Sequence, residues 1–267
     1  MLWDTHMHTN FSGDSNANPL AMIQYAMDCG LDGICITDHL DYDYREEPEL
    51  FLLDLEKYRR EIAQLRRQFH NVFPIRYGIE IGLQPHLTQQ NNLVTAAYPF
   101  DFVIGSSHVV HHVDPYYGKY YEGRSEKEAY LEYFESVLEN VCSEADYDVY
   151  GHLDYVVRYG PNKNRDYSYS AYADIIDEIL RQLIAHGKGI ELNTAGFKYG
   201  LGHPNPTEEI LKRYRELGGE ILTIGADAHR PDDIAYDFDK VPEILSRSGF
   251  THYTVFSNRK PEWIALP

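Results

Sequence analysis

The sequence predicts an α/β fold, a parallel sheet whose strands alternate with helices and close into a barrel, with a metal site at the C-terminal strand ends. Three observations carry this. Apolar, β-branched runs alternate along the chain with long amphipathic segments, which is the pattern of βα units. Run after run ends in a His, Asp or Glu, and in a barrel all C-terminal strand ends meet at one face. No linker, low-complexity tract or repeat divides the 267 residues, a length ordinary for one barrel domain spanning 1–267.

The elements follow in order. Trp3-Asp4-Thr5-His6-Met7-His8-Thr9 is a short strand. Residues i and i+2 of a strand point the same way, so His6 and His8 aim two imidazoles at one point. Asp14 follows in the next loop. Asn18-Pro19 starts a helix, with Asn as N-cap and Pro at the first helical position, and Gly30 stops it. The run from Gly33 to Thr37 leads into Asp38 and His39. The segment from Pro48 to His70 is predicted to be one long charged helix.

The run Ile75 to Ile79 ends in Glu80, and Phe100 to Ser107 ends in His108. Ser125-Glu126-Lys127-Glu128 is a capping box for a helix reaching about Ala145. Tyr147 to Gly151 ends in His152. A helix from Ser170 to His186, stopped by Gly187, leads into the strand Gly189 to Asn193. Asn205-Pro206-Thr207-Glu208 is predicted to start the helix that ends near Gly218. The run Ile221 to Ala226 ends in Asp227-Ala228-His229. A short helix from Val241 to Ser248 precedes a possible strand, Tyr253 to Phe256. That makes seven βα units with an eighth strand open.

Residues 40–50 and the aromatic stretch 109–124 both follow strands, so both are expected over the C-terminal face, the second as a wall of a substrate pocket. The net charge of −18, from 42 acidic against 24 basic residues, repels polyanions and excludes extended nucleic acid as a partner. A small phosphate held by metal ions is compatible with it. Three cysteines without a C-x-x-C predict a reducing compartment. With no secretory leader pattern and no stretch of membrane-spanning length, a soluble cytoplasmic protein is expected. The 23 tyrosines are expected to pack at helix–strand seams with wet hydroxyls.

The ordered set of His6-x-His8, Thr37-Asp38-His39, the Glu80 strand end, Ser106-Ser107-His108, Gly151-His152-Leu153-Asp154 and Ala226-Asp227-Ala228-His229 resembles the polymerase and histidinol phosphatase (PHP) superfamily. Tyr155 to Pro161, Glu191 to Phe197 and the tail from Tyr253 to Pro261 resemble its monofunctional histidinol-phosphatase family. The resemblance implies a distorted (β/α)7 TIM-like barrel carrying two to three divalent ions, Zn, Fe or Mn. One ion would take His6, His8, Glu80 and Asp227. A second would share Glu80 and add His108 and His152. A third would take Asp14, His39 and His229, although some family members carry His where this chain has Asp14.

The implied reaction is hydrolysis of L-histidinol phosphate by a metal-bridging hydroxide, with Glu80, Asp227 and His229 as catalytic residues. Arg158 and Lys198 are expected to grip the phosphate, Lys198 standing where relatives often have Arg. The alternative is another PHP phosphoesterase, acting on phosphotyrosine or nucleotides, and a rival of another class is a metal-binding module without turnover. The expected partner is a small phosphomonoester, with neither nucleic acid nor membrane involved, and the expected assembly is a monomer or small homo-oligomer. Of the seven histidines outside the ligand set, His111 and His203 are the two placed in loops near the expected mouth.

Overall fold

A computed structural model describes residues 2–267. The chain runs through β1 (Trp3–Asp4), α1 (Pro19–Asp28), β2 (Gly33–Ile36), β3 (His39–Leu40), α2 (Leu55–Gln68), β4 (Ile75–Gly82), α3 (Thr88–Ala97), β5 (Phe102–Ser106), α4 (Glu126–Val141) and β6 (Val149–Tyr150). It continues through α5 (Ala173–Ala185), β7 (Gly189–Asn193), α6 (Ala195–Lys198), α7 (Glu208–Glu216), β8 (Leu222–Gly225), α8 (Val241–Arg247), β9 (His252–Ser257) and β10 (Lys260–Ala265). The parallel sheet has the order β1-β2-β4-β5-β6-β7-β8, and β3 continues the β2 position to pair with β4. The ring closes between β8 and β1: Thr5 N donates to Ile224 O at 2.9 Å, Asp227 N to His6 O at 2.9 Å and His8 N to Ala228 O at 2.8 Å. The fold is therefore a seven-position, distorted TIM-like barrel, as expected.

The expected eighth strand is not a stave of this barrel. It pairs antiparallel with β10 as a separate hairpin. The hairpin turn caps the N-terminal strand ends: Asn258 N donates to Asp101 Oδ1 at 3.0 Å, and Arg259 Nε donates to Asp148 Oδ2 at 2.7 Å. Phe256 stacks on Phe102, with ring centroids 5.1 Å apart. These two and Cys35, Ile104 and Val149 form a small apolar cluster separate from the main helix–sheet core. The bottom of the barrel is thus plugged, and the open face is the C-terminal one.

Several boundaries differ from expectation. α2 begins at Leu55, capped by Asp54, whose side chain accepts from Lys57 N. Residues 48–54 do not join it because Phe51 is held elsewhere: its carbonyl accepts from Asp41 N, and its ring packs 5.0 Å from the His39 ring. α5 starts at Ala173, after a short 3-10 turn over Tyr169–Tyr172. α7 starts at Glu208, since Asn205 is committed to an antiparallel bridge with Asn193. α3 was not foreseen, having little amphipathic pattern. It is anchored by buried Asn91, whose Nδ2 donates to Gly82 O. The capping box at Ser125 is formed as expected. The core tyrosines are dry rather than wet. Tyr58, Tyr120 and Tyr130 are almost wholly buried, and their hydroxyls donate to backbone carbonyls, which satisfies them without water.

Candidate metal centre

The strand-end residues converge on buried Glu80, at the end of the longest stave. Glu80 Oε2 lies 3.1 Å from His6 Nε2, 3.4 Å from His8 Nε2 and 3.0 Å from His39 Nδ1. Glu80 Oε1 lies 2.9 Å from His152 Nε2 and 3.3 Å from His108 Nε2. One carboxylate thus presents one oxygen to each of two imidazole groups.

His6 Nε2 and His8 Nε2 are 3.1 Å apart, and Asp227 Oδ1 is 3.7 and 3.4 Å from them. Four ligands at imidazole and carboxylate bond lengths of about 2.05 Å around a tetrahedral ion stand about 3.3 Å from one another. The distances among His6, His8 and Glu80, and from both histidines to Asp227, 3.1–3.7 Å, are close to that. Glu80 Oε2 and His39 Nδ1 are buried and have no hydrogen-bond partner, as expected of groups facing a cation position. On these two observations the residues fit a divalent ion.

Asp14, His39 and His229 also come together, more openly. His229 Nε2 is 3.1 Å from Asp14 Oδ2, and His39 Nε2 is 3.7 Å from it. The His8 ring stacks between those of His39 and His229, with centroids at 4.1 and 4.2 Å. All nine expected ligand side chains therefore lie in one contiguous cluster.

Sequence reasoning missed the groups behind them. Glu191, mid-strand in β7, accepts from His6 Nδ1 at 2.7 Å, from His152 N at 2.9 Å and from Asn193 Nδ2 at 3.0 Å. Asp41 accepts from His108 Nδ1 at 2.7 Å. Asp38 accepts from Thr9 and Ser12 and so braces the loop that carries Asp14. Hydrogen bonds of this kind fix the ring orientation and tautomer of a ligating histidine. Two glycines make room for them. A Cβ on Gly82 would stand 2.1 Å from Asp41 Oδ1, and one on Gly225 would stand 2.3 Å from Glu191 Oε1.

The charges of the buried cluster shift one another strongly. Burial alone would lower the His6 pKa, but Glu191, Glu80 and Asp227 raise it well above the ordinary value. Burial also opposes the charge on His108, and Asp41 and Glu80 overcome it. Burial would raise Glu80, but His6, His108 and His39 hold it well below the carboxylate range. His8 moves the other way, lowered by burial and by the charges of His39 and His229. An incoming cation must displace the protons on His6 and His108.

Above the cluster lies a small, partly open cavity of about 80 Å³. Its walls beyond the ligands include Phe51, Asp114, Tyr155, Tyr159, Tyr199 and Arg158. The stretch 109–124 contributes only Asp114 to this wall. Its own tyrosines are elsewhere, and the aromatic wall comes from Phe51 after β3 and from the segments after β6 and β7.

Arg158 is 3% exposed, with Nη1 2.7 Å from Asp227 Oδ2, Nη2 3.0 Å from Asn193 Oδ1 and Nε 2.8 Å from Asn205 Oδ1. Asn205 in turn donates to buried Asp154 at 2.6 Å. Lys198 is not in the cavity wall, its Nζ lying 3.2 Å from Asp233 Oδ2 and 3.4 Å from the Asp227 carbonyl. His111 pairs with Glu132 at 3.0 Å, and His203 Nδ1 lies 2.7 Å from Pro204 O; neither lines the cavity.

Residues 4–195 match the PHP domain. The chain belongs to the PHP domain family. Among its relatives, the histidinol-phosphatase of Lactococcus lactis subsp. lactis (strain IL1403) is 32% identical over 262 residues, 96% of this chain and 95% of that protein. The probable histidinol-phosphatase of Clostridium acetobutylicum is 34% identical over 244 residues, 89% of this chain and 90% of the other. The crystal structure of the L. lactis histidinol phosphate phosphatase, complexed with zinc, L-histidinol and phosphate, superposes with a TM-score of 0.91 over 98% of both chains. The fold is thus shared along nearly its whole length with a phosphatase whose structure contains zinc.

Proposed function

We propose that this chain is a metal-dependent phosphomonoesterase that hydrolyses L-histidinol phosphate to L-histidinol and phosphate. The observation that carries the reading is the position of Glu80, one oxygen toward His6 and His8 and the other toward His108 and His152, beneath a cavity. The substrate comes from the near full-length similarity to the L. lactis enzyme.

His6, His8, Glu80 and Asp227 would hold one ion, Glu80, His108 and His152 a second, and Asp14, His39 and His229 a third. The ions would be two or three of Zn, Fe or Mn. Bound divalent ions supply Lewis acidity toward phosphoryl oxygens and lower the pKa of water toward neutrality. The chain supplies the rest. Arg158 uses three of its five donors on Asp227, Asn193 and Asn205, so two remain for phosphoryl oxygens at the cavity floor. Tyr155, Tyr159 and Phe51 narrow the cavity and exclude water around the leaving alcohol. The departing alkoxide needs a proton. Asp227 and His229 are the candidates; His229 Nδ1 contacts Asp227 O, and its Nε2 faces Asp14. Lys198 contributes a more distant positive charge from its seat on Asp233.

On this reading the chain is a single domain acting in the cytoplasm as a monomer or small homo-oligomer, and its charge of −18 disfavours nucleic acid. Among the described residues no helix is long and apolar enough to cross a membrane. The test is kcat/KM on histidinol phosphate, a phosphotyrosine peptide and nucleoside monophosphates, with metal content measured alongside. Histidinol phosphate is expected to be the best substrate by a wide margin. Chelation is expected to abolish turnover, and Mn²⁺, Fe²⁺ or Zn²⁺ to restore it. Equal or better turnover of the other esters refutes the substrate, and full activity in metal-free protein refutes the chemistry.

A further inference from the structure

Three side chains that take no part in the centre above meet at the rim of the barrel mouth. Asp43 follows β3, His86 lies in the short turn after β4, and His112 lies in the loop after β5. Asp43 Oδ2 is 3.1 Å from His86 Nε2 and 3.3 Å from His112 Nδ1, and one ligand atom from each residue lies within 4.8 Å of the others. Those two separations are again near the edge, about 3.3 Å, of a tetrahedron at imidazole and carboxylate bond lengths.

Hydrogen bonding accounts for only one of them. His86 bonds to Asp43, whereas His112 Nδ1 is closed off from solvent and has no hydrogen-bond partner. The backbone is also held at a cost. Asp43 has φ of 53°, His111 of 46° and His112 of 72°, a left-handed conformation that L residues adopt reluctantly. Such conformations persist where the surroundings reward them.

We propose that Asp43, His86 and His112 form a separate site for a divalent transition ion with affinity for imidazole, water completing the coordination. Two imidazoles and one carboxylate suit zinc in particular. The ion would tie together the two loops that flank the cavity, which already meet through Tyr44 donating to Asp114 at 2.8 Å and Lys119 pairing with Glu46 at 2.9 Å. Arg45 is the competing cation. Its Nε stands 3.3 Å from Asp43 Oδ1, and its Nη2 stands 3.1 Å from His112 Nε2. It therefore occupies the far oxygen and the far nitrogen and leaves the three inward atoms facing one another. An ion on His112 Nδ1 places the proton on Nε2, against the Arg45 donors. Arg45, 56% exposed, must then turn outward.

The test titrates holoenzyme, purified with its resident metals, with zinc alone by calorimetry, and counts ions per chain by elemental analysis. Wild type is expected to take one zinc beyond its resident complement. His86→Ala, His112→Ala and the double variant are expected to lose that ion at unchanged Tm of the zinc-free-rim form, because both side chains are substantially exposed. His186→Ala, an exposed histidine at the end of α5, is expected to keep it. Arg45→Ala is expected to bind it several-fold more tightly. Equal zinc uptake by wild type and the double variant overturns the site. Equal loss in His186→Ala overturns it as non-specific imidazole binding, and unchanged or weaker affinity in Arg45→Ala overturns the position assigned to the ion.

Discussion

Arg158→Ala tests both halves of the proposed site at once. The guanidinium is almost wholly buried and bonded to Asp227, Asn193 and Asn205. Its removal leaves Asp227 Oδ2 and two amide oxygens without those donors. Losing one partner of a buried pair costs about 3–5 kcal/mol, so a lower Tm is expected. Loss of the group that orients Asp227 should weaken metal binding at the His6–His8 position about 10- to 100-fold. Saturating metal should recover that part of the defect. What remains is the phosphate contact, roughly 2–3 kcal/mol or about 30- to 150-fold in kcat/KM.

The assay is kcat/KM on histidinol phosphate across a metal titration, at low and high ionic strength, with bound metal measured at each point. A surface cation that only steers the substrate would give a defect that vanishes in salt. The 3% exposure of Arg158 predicts one that persists. Near-normal kcat/KM at saturating metal refutes the phosphate contact, and unaltered metal affinity refutes the positioning of Asp227. Lys198→Ala, outside the cavity wall, should cost less than Arg158→Ala in the same assay.

Glu80→Ala should be more damaging than loss of any single histidine, because Glu80 faces both imidazole groups. Elemental analysis should find both ions weakened, and two retained ions with near-normal kcat would show that it does not bridge. Glu191→Gln touches no cavity surface yet should lower metal affinity about 10- to 100-fold, since a neutral amide holds His6 Nδ1 less well; unchanged affinity in a metal-buffered titration counts against it. Asp177 is gripped by Arg213 and further held by Tyr169, and its carboxyl is lowered to about 2. A lowered folded pKa contributes stability above the unfolded value near 3.9 and loses it as pH falls toward about 2. Asp177→Asn should therefore be less stable than wild type by roughly 1–2 kcal/mol at pH 7, with the gap narrowing below about pH 4 in urea denaturation; a gap constant with pH contradicts the charge role.

The barrel and the delivery of metal-capable side chains to one face could be read from the linear chain because both depend on local periodicity, whereas the assignment of nine ligands to ions was implied by the family resemblance. A two-residue strand period sends His6 and His8 to one side whatever surrounds them. A strand that ends in Glu80, His108 or His152 must deliver that residue to the C-terminal face once the strands run parallel. Capping at Ser125 and Asn18 is likewise a matter of three or four consecutive residues.

What the linear pattern could not decide lies between segments. Glu191 did carry a signal, a carboxylate inside the apolar run Gly189 to Leu192, but only closure of the ring sets it against His6 from the other end of the chain. Asp41 read as a loop residue and Phe51 as part of a helix, until β3 pairs with β4 and carries both over the centre. Asn205 read as the start of a helix, since Asn followed by Pro favours that position. The tertiary bridge to Asn193 took its backbone, and Arg158 and Asp154 took its side chain. Lys198 follows a strand as expected, yet Asp233, brought near by the next βα unit, holds its ammonium away from the cavity. Local spacing determines which side chains reach the active face. The three-dimensional closure of the barrel decides which buried partner each one meets, because an unpaired buried charge or donor is too costly to leave without one.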